Sequence, residues 1–552
     1  MASQGILVTP HGEFEILHEK PPESLVRRFL VTIWQFLGLL LGGMAAFIRY
    51  SQAGHAARGP LLWLMQLTLF LARPFLDREL IEEPFPVQFR RRLEMLGPTY
   101  IKLGQILSLR DDLLPKPLTD ELKNLLDRLP IVTFDRFKEL VQDELEIPVD
   151  TAFAWIDPYP IGSASLGQTH RARLQTQEEV VLKVLKPGVR QQITKDCTLL
   201  RLLGRMLQLV LARYQPRRLI NEFCNYTLRE VDLRFEAENA ETFAANFEDL
   251  PDVTFPKIYA AYSSQSMLCM EFFSGKKPSS ASAALLPAAE RRRIVDLGVS
   301  SIIRMIFQDG FFHADLHPGN MLLLDDGRVG FIDLGMVGRF DDDTRKRMFN
   351  YFYSLVMGDP ASAARYLTSM TVPVFKSDPD GFRRAVEDLN RRFFASPNFE
   401  DFSVARLILE SIALAGRYYM YYPGEIVLMA KALVTIEGVG YLLDPEIDVT
   451  AVSRNQIRSI FIAQFNPLPA FRTGIVGVPD LLDTLMRSPV LISESLRMME
   501  RNLNRPTPDP VRQLRGPILA GFCLVAGAIL ASFGGPWFVW SAFFILAVFS
   551  HS

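Results

Sequence analysis

The stretch from Phe312 to Gly335 constrains this chain more than any other. His313-Ala314-Asp315 is followed, five residues after its aspartate, by Asn320, and then, past an apolar run and a turn, by Asp333-Leu334-Gly335. Phosphoryl transfer requires a carboxylate near the attacking group and oxygen ligands for magnesium on the nucleotide phosphates. The pattern H-x-D-x-x-x-x-N followed by D-x-G supplies both from two neighbouring loops. Between them, Met321-Leu322-Leu323-Leu324, a turn at Asp325-Asp326-Gly327 and Val329-Gly330-Phe331-Ile332 read as a hairpin that returns Asp333 to the side of Asn320. The spacing therefore predicts the catalytic core of a kinase-like phosphoryl-transfer fold.

Such a core needs an upstream half. Val180-Val181-Leu182-Lys183-Val184-Leu185 is an apolar run broken by one lysine. An ammonium inside a β-strand is expensive to bury unless it meets an anion. In kinase folds that anion is a nucleotide phosphate, and a helical glutamate orients the lysine. Glu236, in Arg234-Phe235-Glu236-Ala237-Glu238-Asn239, is the candidate partner. The competing reading makes Lys183 a surface charge on an edge strand, as Lys186 is read to be. Upstream, Gly162-Ser163-Ala164-Ser165-Leu166-Gly167-Gln168, with a hairpin turn at Gln175-Thr176-Gln177, sits where a phosphate-covering loop belongs. Its small side chains allow backbone amides near a phosphate.

Taken together, these residues resemble the UbiB family of atypical kinase-like proteins, over roughly Pro86 to Asp448. Lys102-Leu103-Gly104-Gln105 is similar to that family's K-x-G-Q motif, Gly162 to Gln168 to its alanine-rich loop, and Glu230-Val231-Asp232 to its E-x-D motif. The resemblance implies an α+β, two-lobed protein-kinase-like fold with a helical N-terminal extension. It implies that Lys183 and Glu236 form the nucleotide-binding ion pair beside the loop of Gly162, Ser163, Ala164, Ser165, Leu166 and Gly167. Asn320 and Asp333 would hold Mg²⁺ with ATP or ADP, and Asp315 would be the catalytic base. Lys102 and Gln105, with Gly104 between them, would fold over the site and face Glu230 and Asp232. Lys102 and Gln105 are three apart and so share a helix face; on the residues alone, a solvated helical lysine remains the competing reading of Lys102.

The sequence departs from the patterns in two places. Gly162 and Ser163 stand where the family often has alanines, which leaves nucleotide preference open. Ala314 replaces the arginine of H-R-D, and no A-P-E-like motif follows Gly335. A phosphorylated activation loop docked on that arginine is therefore not expected, and the sequence argues against an ordinary protein kinase.

At 552 residues and 49% hydrophobic content, the chain can hold two kinase lobes plus extensions. A formal net charge of −2 gives no reason to expect nucleic acid. Cys197, Cys224, Cys269 and Cys523 form no C-x-x-C, so neither a zinc site nor a disulfide framework is expected, and no signal-peptide pattern opens the chain. After Arg501, Arg505, Arg512 and Arg515, an uncharged run from Pro517 to Phe549 is broken at Gly534-Gly535-Pro536. It reads as a membrane hairpin whose arms are each shorter than the roughly 20 residues of a spanning helix. The arginines place the preceding side in the cytoplasm, which in a bacterium means the inner membrane. Phe29 to Ile48 and Leu61 to Leu71 are further apolar runs, flanked by Arg27, Arg28, Arg49 and Arg58; each either lies on an anionic membrane surface or packs beneath the lobes.

The expected organisation is an apolar N-terminal extension over 1–85, a helical K-x-G-Q segment over 86–150, an N-lobe over 151–275 and a C-lobe over 276–465. A linker over 466–515 and a transmembrane hairpin over 516–550 follow. Within the C-lobe, Gly424 to Leu433, which includes Lys431, reads as a buried helix followed by a turn at Glu437-Gly438-Val439-Gly440. The expected activity is that of a membrane-anchored kinase or ATPase serving ubiquinone or isoprenoid-lipid metabolism. Its partners would be membrane lipid, quinone-like or isoprenoid small molecules and other proteins of a biosynthetic complex. Two rivals stand beside it: a nucleotide-sensing scaffold with no transfer reaction, and a small-molecule kinase of the aminoglycoside-phosphotransferase type, which does not account for K-x-G-Q, E-x-D or the apolar tail.

Overall fold

Alternating side chains build the first lobe. Phe153–Ser163 (β1), Gly167–Leu174 (β2) and Glu179–Leu185 (β3) form a meander that Met267–Glu271 extends on the far side of β3. All three pairings are antiparallel. Along β3, Val180, Leu182 and Val184 are buried on one face, while Val181 and Lys183 lie on the other. The first face packs against Phe137 and Val141 of Phe134–Glu144. Sequence periodicity thus turns Lys183 away from the apolar layer.

The computed structural model describes residues 6–9, 12–17, 24–53, 66–70, 72, 77–108, 114–125, 131–210, 216–279, 281, 284, 286–373, 377–395 and 404–444. These belong to one unit of contiguous contacts. The expected linker over 466–515 and the membrane hairpin over 516–550 lie outside the described residues. So does much of Leu61 to Leu71.

Ahead of the sheet come Leu25–Ala53 (α1), Phe85–Leu96 (α2), Pro98–Leu107 (α3) and Phe134–Glu144 (α4). After β3 come Val189–Val210 (α5), Pro216–Glu230 (α6) and Leu233–Asn246 (α7). Asp232 caps α7 by accepting from the Arg234 N–H at 3.3 Å. Val253–Thr254 (β4), Met267–Glu271 (β5) and Gly275–Lys276 (β6) lead to Ala288–Arg304 (α8).

Phe311–His313 (β7), Met321–Leu324 (β8), Val329–Phe331 (β9) and Val337–Arg339 (β10) then carry the chemistry-bearing loops. The hairpin β8–β9 sits in a sheet of order β4-β9-β8-β6, and β10 pairs with β7. Phe243, Phe255, Phe311 and Phe331 stack through this region, with centroids 4.5 to 5.7 Å apart. A helical layer closes the second lobe: Asp342–Val356 (α9), Pro360–Ser369 (α10), Pro379–Ala395 (α11), Val404–Ala415 (α12) and Gly424–Leu443 (α13).

Two features depart from the sequence-based expectations. Glu437-Gly438-Val439-Gly440, expected as a turn, lies inside α13. Glycine costs roughly 1 kcal/mol in a helix, but Ile436, Val439 and Leu443 are all buried here and their packing outweighs it. In α1 the polarity is partly inverted: Arg28 and Thr32 are buried against the core along with Leu41 and Ile48, while Val26, Phe29, Leu30, Ile33, Leu37 and Leu40 are exposed. Arg28 grips Asp196 with two hydrogen bonds of 2.6 and 2.8 Å, and Thr99 donates to the same carboxylate at 2.6 Å. Helices α1 and α13 are both long and apolar enough to cross a membrane; 28% of the apolar window is buried in α1 and 56% in α13.

Candidate nucleotide site

Lys183 Nζ lies 2.8 Å from both carboxylate oxygens of Glu236 and 2.8 Å from Asp333 Oδ1. Strand β3 presents the lysine, the first turn of α7 presents the buried glutamate, and the loop after β9 presents the aspartate. Burial works against the ammonium, yet Asp333 and then Glu236 more than offset it and hold Lys183 charged well above its ordinary range. The ammonium in turn holds Asp333 far below the usual carboxylate range. Glu236 is raised by its burial, and Lys183 only partly reverses this. An edge-strand surface charge is not what this lysine is.

Asp333 has a left-handed backbone, φ 56°. A non-glycine residue holds such a conformation only where its surroundings fix it. Here Asn239 Nδ2 donates to the Leu334 carbonyl at 2.9 Å, and the Ile332 N–H donates to the Asn320 carbonyl at 2.9 Å. The wholly buried His313 adds a third tie. Its Nδ1 accepts from the Asp315 N–H at 3.2 Å, which leaves the proton on Nε2, 3.2 Å from the Ile332 carbonyl. Burial keeps this imidazole neutral, below its ordinary range.

Asn320 Nδ2 donates to the Asp315 backbone carbonyl at 3.0 Å, so the oxygen is the side-chain atom that could serve a metal. The Asp315 carboxylate accepts from Lys431 Nζ at 2.6 Å. Burial would raise the Asp315 pKa, but Lys431, then Lys102 and His317, outweigh it and hold the group ionised. Lys431 stands on α13, 116 residues away. From sequence it reads only as part of the buried helix over Gly424 to Leu433. The argument applied to Lys183, a lone lysine in an apolar run needing an anion, was the signal that could have found it.

The loop between β1 and β2 closes on itself. The Ala164 N–H donates to the Gly167 carbonyl at 2.9 Å. A Cβ at Gly167 would stand 3.0 Å from the Val184 carbonyl, so glycine permits the close approach of β3. Pairing of Gly162 with Thr169 and of Ser163 with Gln168 leaves Ala164, Ser165 and Leu166 at the tip. Lys186, read from sequence as a surface charge, is buried: its Nζ donates to the Ala164 carbonyl at 2.6 Å and its backbone N–H to the Leu166 carbonyl at 2.8 Å. Desolvation lowers its pKa to about 8. The lysine clasps the loop at two points, its backbone N–H on one carbonyl and its ammonium on another.

On the other side of the cleft, Lys102 Nζ lies 2.6 Å from Glu230 Oε1, and its field reaches Asp315 and Asp333. Burial opposes the Lys102 charge and Glu230 overcomes it. Gly104 is needed by packing: a Cβ there would meet Leu125 Cδ1 at 2.3 Å and Leu93 Cδ1 at 2.9 Å. Asp232 does not join Lys102. Its carboxylate accepts from Arg234 at 2.7 and 2.9 Å and from Gln265 at 2.8 Å, and the Arg234 hydrogen bond holds it at about 2. As the N-cap of α7, its side chain is committed to that helix.

The oxygens of Asn320 and Asp333 are the hard donors that Mg²⁺ takes. Two protein ligands suffice where waters and phosphates complete the shell. The residues present therefore fit the metal.

The chain matches known domains. The ABC1 atypical kinase-like domain matches residues 124–367, and the UbiB helical domain, which includes Lys431, matches residues 389–448. A probable protein kinase UbiB of Azotobacter vinelandii is 30% identical over 90% of this chain and 93% of its own. Another, of Tolumonas auensis, is 30% identical over 76% of this chain and 78% of its own. The chloroplastic protein Activity of bc1 complex kinase 7 of Arabidopsis thaliana is 32% identical over 66% of this chain and 53% of its own. A Mycobacterium tuberculosis protein solved with erythromycin aligns with 66% of this chain and 93% of its own, at 22% identity and a TM-score of 0.46. With both domain models matched in order and a UbiB relative aligned over nine-tenths of its length, this chain belongs to the UbiB family of ABC1 atypical kinase-like proteins.

Proposed function

We propose that this protein is a membrane-associated atypical kinase or ATPase that uses Mg-ATP in support of ubiquinone or isoprenoid-lipid metabolism. The observation that carries the reading is Lys183, whose ammonium lies 2.8 Å from Glu236 and from Asp333 while Asp315 stands ionised against Lys431. Lys183 binds and orients nucleotide phosphates, Glu236 holds the lysine, and Asn320 and Asp333 are the residues that would hold Mg²⁺, which when bound neutralises charge on those phosphates. Asp315 accepts the proton of the attacking hydroxyl or water. The clasped loop of Gly162 to Gly167 covers the nucleotide, and Lys102 screens the acceptor side.

The exposed apolar stripe of α1 supports membrane association, with the kinase-like body on the cytoplasmic side. Quinone-like or isoprenoid molecules, membrane lipid and proteins of a biosynthetic complex are the proposed partners; nucleic acid is not. The test is Mg-ATP turnover by the full chain with and without liposomes carrying a quinone-like phenol, with Asp333→Asn as control. Turnover that rises with membrane and vanishes in the variant is expected. Tight nucleotide binding with no turnover in either condition would instead favour a nucleotide-sensing scaffold.

A further inference from the structure

A cavity lies elsewhere, lined by none of the candidate nucleotide residues. It has a volume of about 310 Å³ and is enclosed by α1, α2, α3, α5, α6 and the start of α13, with Phe36, Leu103, Leu200, Leu203, Phe223 and Leu428 among its walls. That volume is at the lower end of small-molecule sites, roughly 300 to 1,000 Å³. Its lining is almost wholly aliphatic and aromatic, and few polar groups reach it. Of these, Glu222 already accepts from the Tyr421 hydroxyl at 2.7 Å.

Arg92 is different. It lines the same cavity, is only 5% exposed, and donates from Nη1 to Gln35 Oε1 at 2.9 Å. Its Nε is buried with no hydrogen-bond partner, and among the described residues no carboxylate is ion-paired to it. The backbone is cut back to admit it: a Cβ at Gly38 of α1 would stand 2.2 Å from Arg92 Nη1. Among the described residues the field of Asp77 reaches the guanidinium without pairing to it, and burial outweighs that field; a buried guanidinium without a paired anion is costly. An apolar cavity with one buried, incompletely paired cation on its wall is a chamber for a molecule with an anionic head and a hydrocarbon tail.

The supply side is on the page as well. The α1 wall contributes Gln35 and Phe36 to the cavity, while the opposite face of the same helix exposes Val26, Phe29, Leu30, Ile33, Leu37 and Leu40. A helix that exposes an apolar stripe of this length is placed for hydrocarbon, not water. We infer that this cavity binds one single-chain anionic amphiphile of the fatty-acid type, drawn from the bilayer against α1, with its head on Arg92 and its chain among the α3, α5 and α6 leucines.

The experiment uses the full chain in lipid nanodiscs and a palmitic-acid analogue carrying a chain diazirine, photolysed and mapped by peptide mass spectrometry. Expected is saturable labelling of inward residues of α3, α5 and α6. Arg92→Gln should weaken it by about tenfold or more, the worth of one charge-assisted hydrogen bond. Leu203→Trp, which fills the cavity without touching the arginine, should abolish the inward label and leave labels on the outer face of α1 intact; thermal unfolding confirms that each variant is folded. Labelling confined to outward residues such as Leu30, Leu37 and Leu40, unchanged in both variants, would overturn the inference. The result does not depend on nucleotide turnover, so it stands or falls separately from the proposed activity.

Discussion

Lys431 Nζ is 2.6 Å from Asp315 Oδ1, which ties the C-terminal helix of the second lobe to the proposed base. The contact keeps Asp315 below the ordinary carboxylate range despite its burial, so the base is ready at acid pH. In Lys431→Met that support is lost and the pKa rises. The acid limb of the turnover–pH profile should then move to higher pH, and kcat should fall by about 10²-fold, within the range for general-base assistance. Lys431→Arg should recover part of both effects. An unshifted acid limb in Lys431→Met would separate Asp315 from the chemistry.

Lys183→Met removes the cation that faces Glu236, whose side chain is 6% exposed. Breaking a buried pair on one side typically costs about 3–5 kcal/mol. Chemical unfolding should show a loss of that order, eased at low pH where Glu236 is protonated, and calorimetric titration should detect no Mg-ATP binding. The double variant Lys183→Met/Glu236→Gln should regain most of the stability and none of the binding.

Asp196 is fully buried beneath Arg28 and Thr99. Asp196→Ala leaves the Arg28 guanidinium unpaired in the same place, and a loss of about 3–5 kcal/mol is expected. Limited proteolysis should then cut within α1 before it reaches the sheet. If α1 were an appended anchor, the variant would leave the unfolding midpoint unmoved.

His170 gives a pH signature with a definite sign. Its ring is buried against Phe137, centroids 3.9 Å apart, with Nδ1–H donating to the Asp157 carbonyl at 2.7 Å and Nε2 accepting from Gln168. Burial lowers its pKa from 6.5 to about 4. The neutral form is favoured only when folded, so its contribution is complete above pH 6.5 and drains away as pH falls toward 4. Between pH 7.5 and 5 the wild type should lose on the order of 2 kcal/mol more than His170→Gln in urea titrations.

The groups legible from sequence are those whose chemistry is local. Asp315, Asn320 and Asp333 lie on one hairpin and its flanking loops, so spacing alone brings them together, and the alternation of β3 turns Lys183 toward them. What escaped was set by distance or by competition. Lys431 reaches Asp315 from a helix far along the chain. Lys186 looks like Lys183's exposed neighbour, but its ammonium is drawn inward by the Ala164 carbonyl. Asp232 sits two residues from Glu230, but as N-cap of α7 it serves the helix, and only Glu230 meets Lys102. The glycines of α13 advertise a turn that packing of Ile436 and Val439 forbids.

The inverted polarity of α1 carries a last consequence. Its inward face is stitched into the kinase-like body by Arg28 and Thr32, and its far end by Arg49, while its outward face carries the stripe of exposed apolar side chains from Val26 to Leu40. The border between the exposed apolar stripe and the kinase-like body therefore runs lengthwise down one helix, and not between two stretches of chain. A cut made anywhere in sequence either strands an apolar stripe in water or strips a counter-ion from the core, so shortening this protein to a water-soluble kinase body requires rewriting a face, not removing a segment.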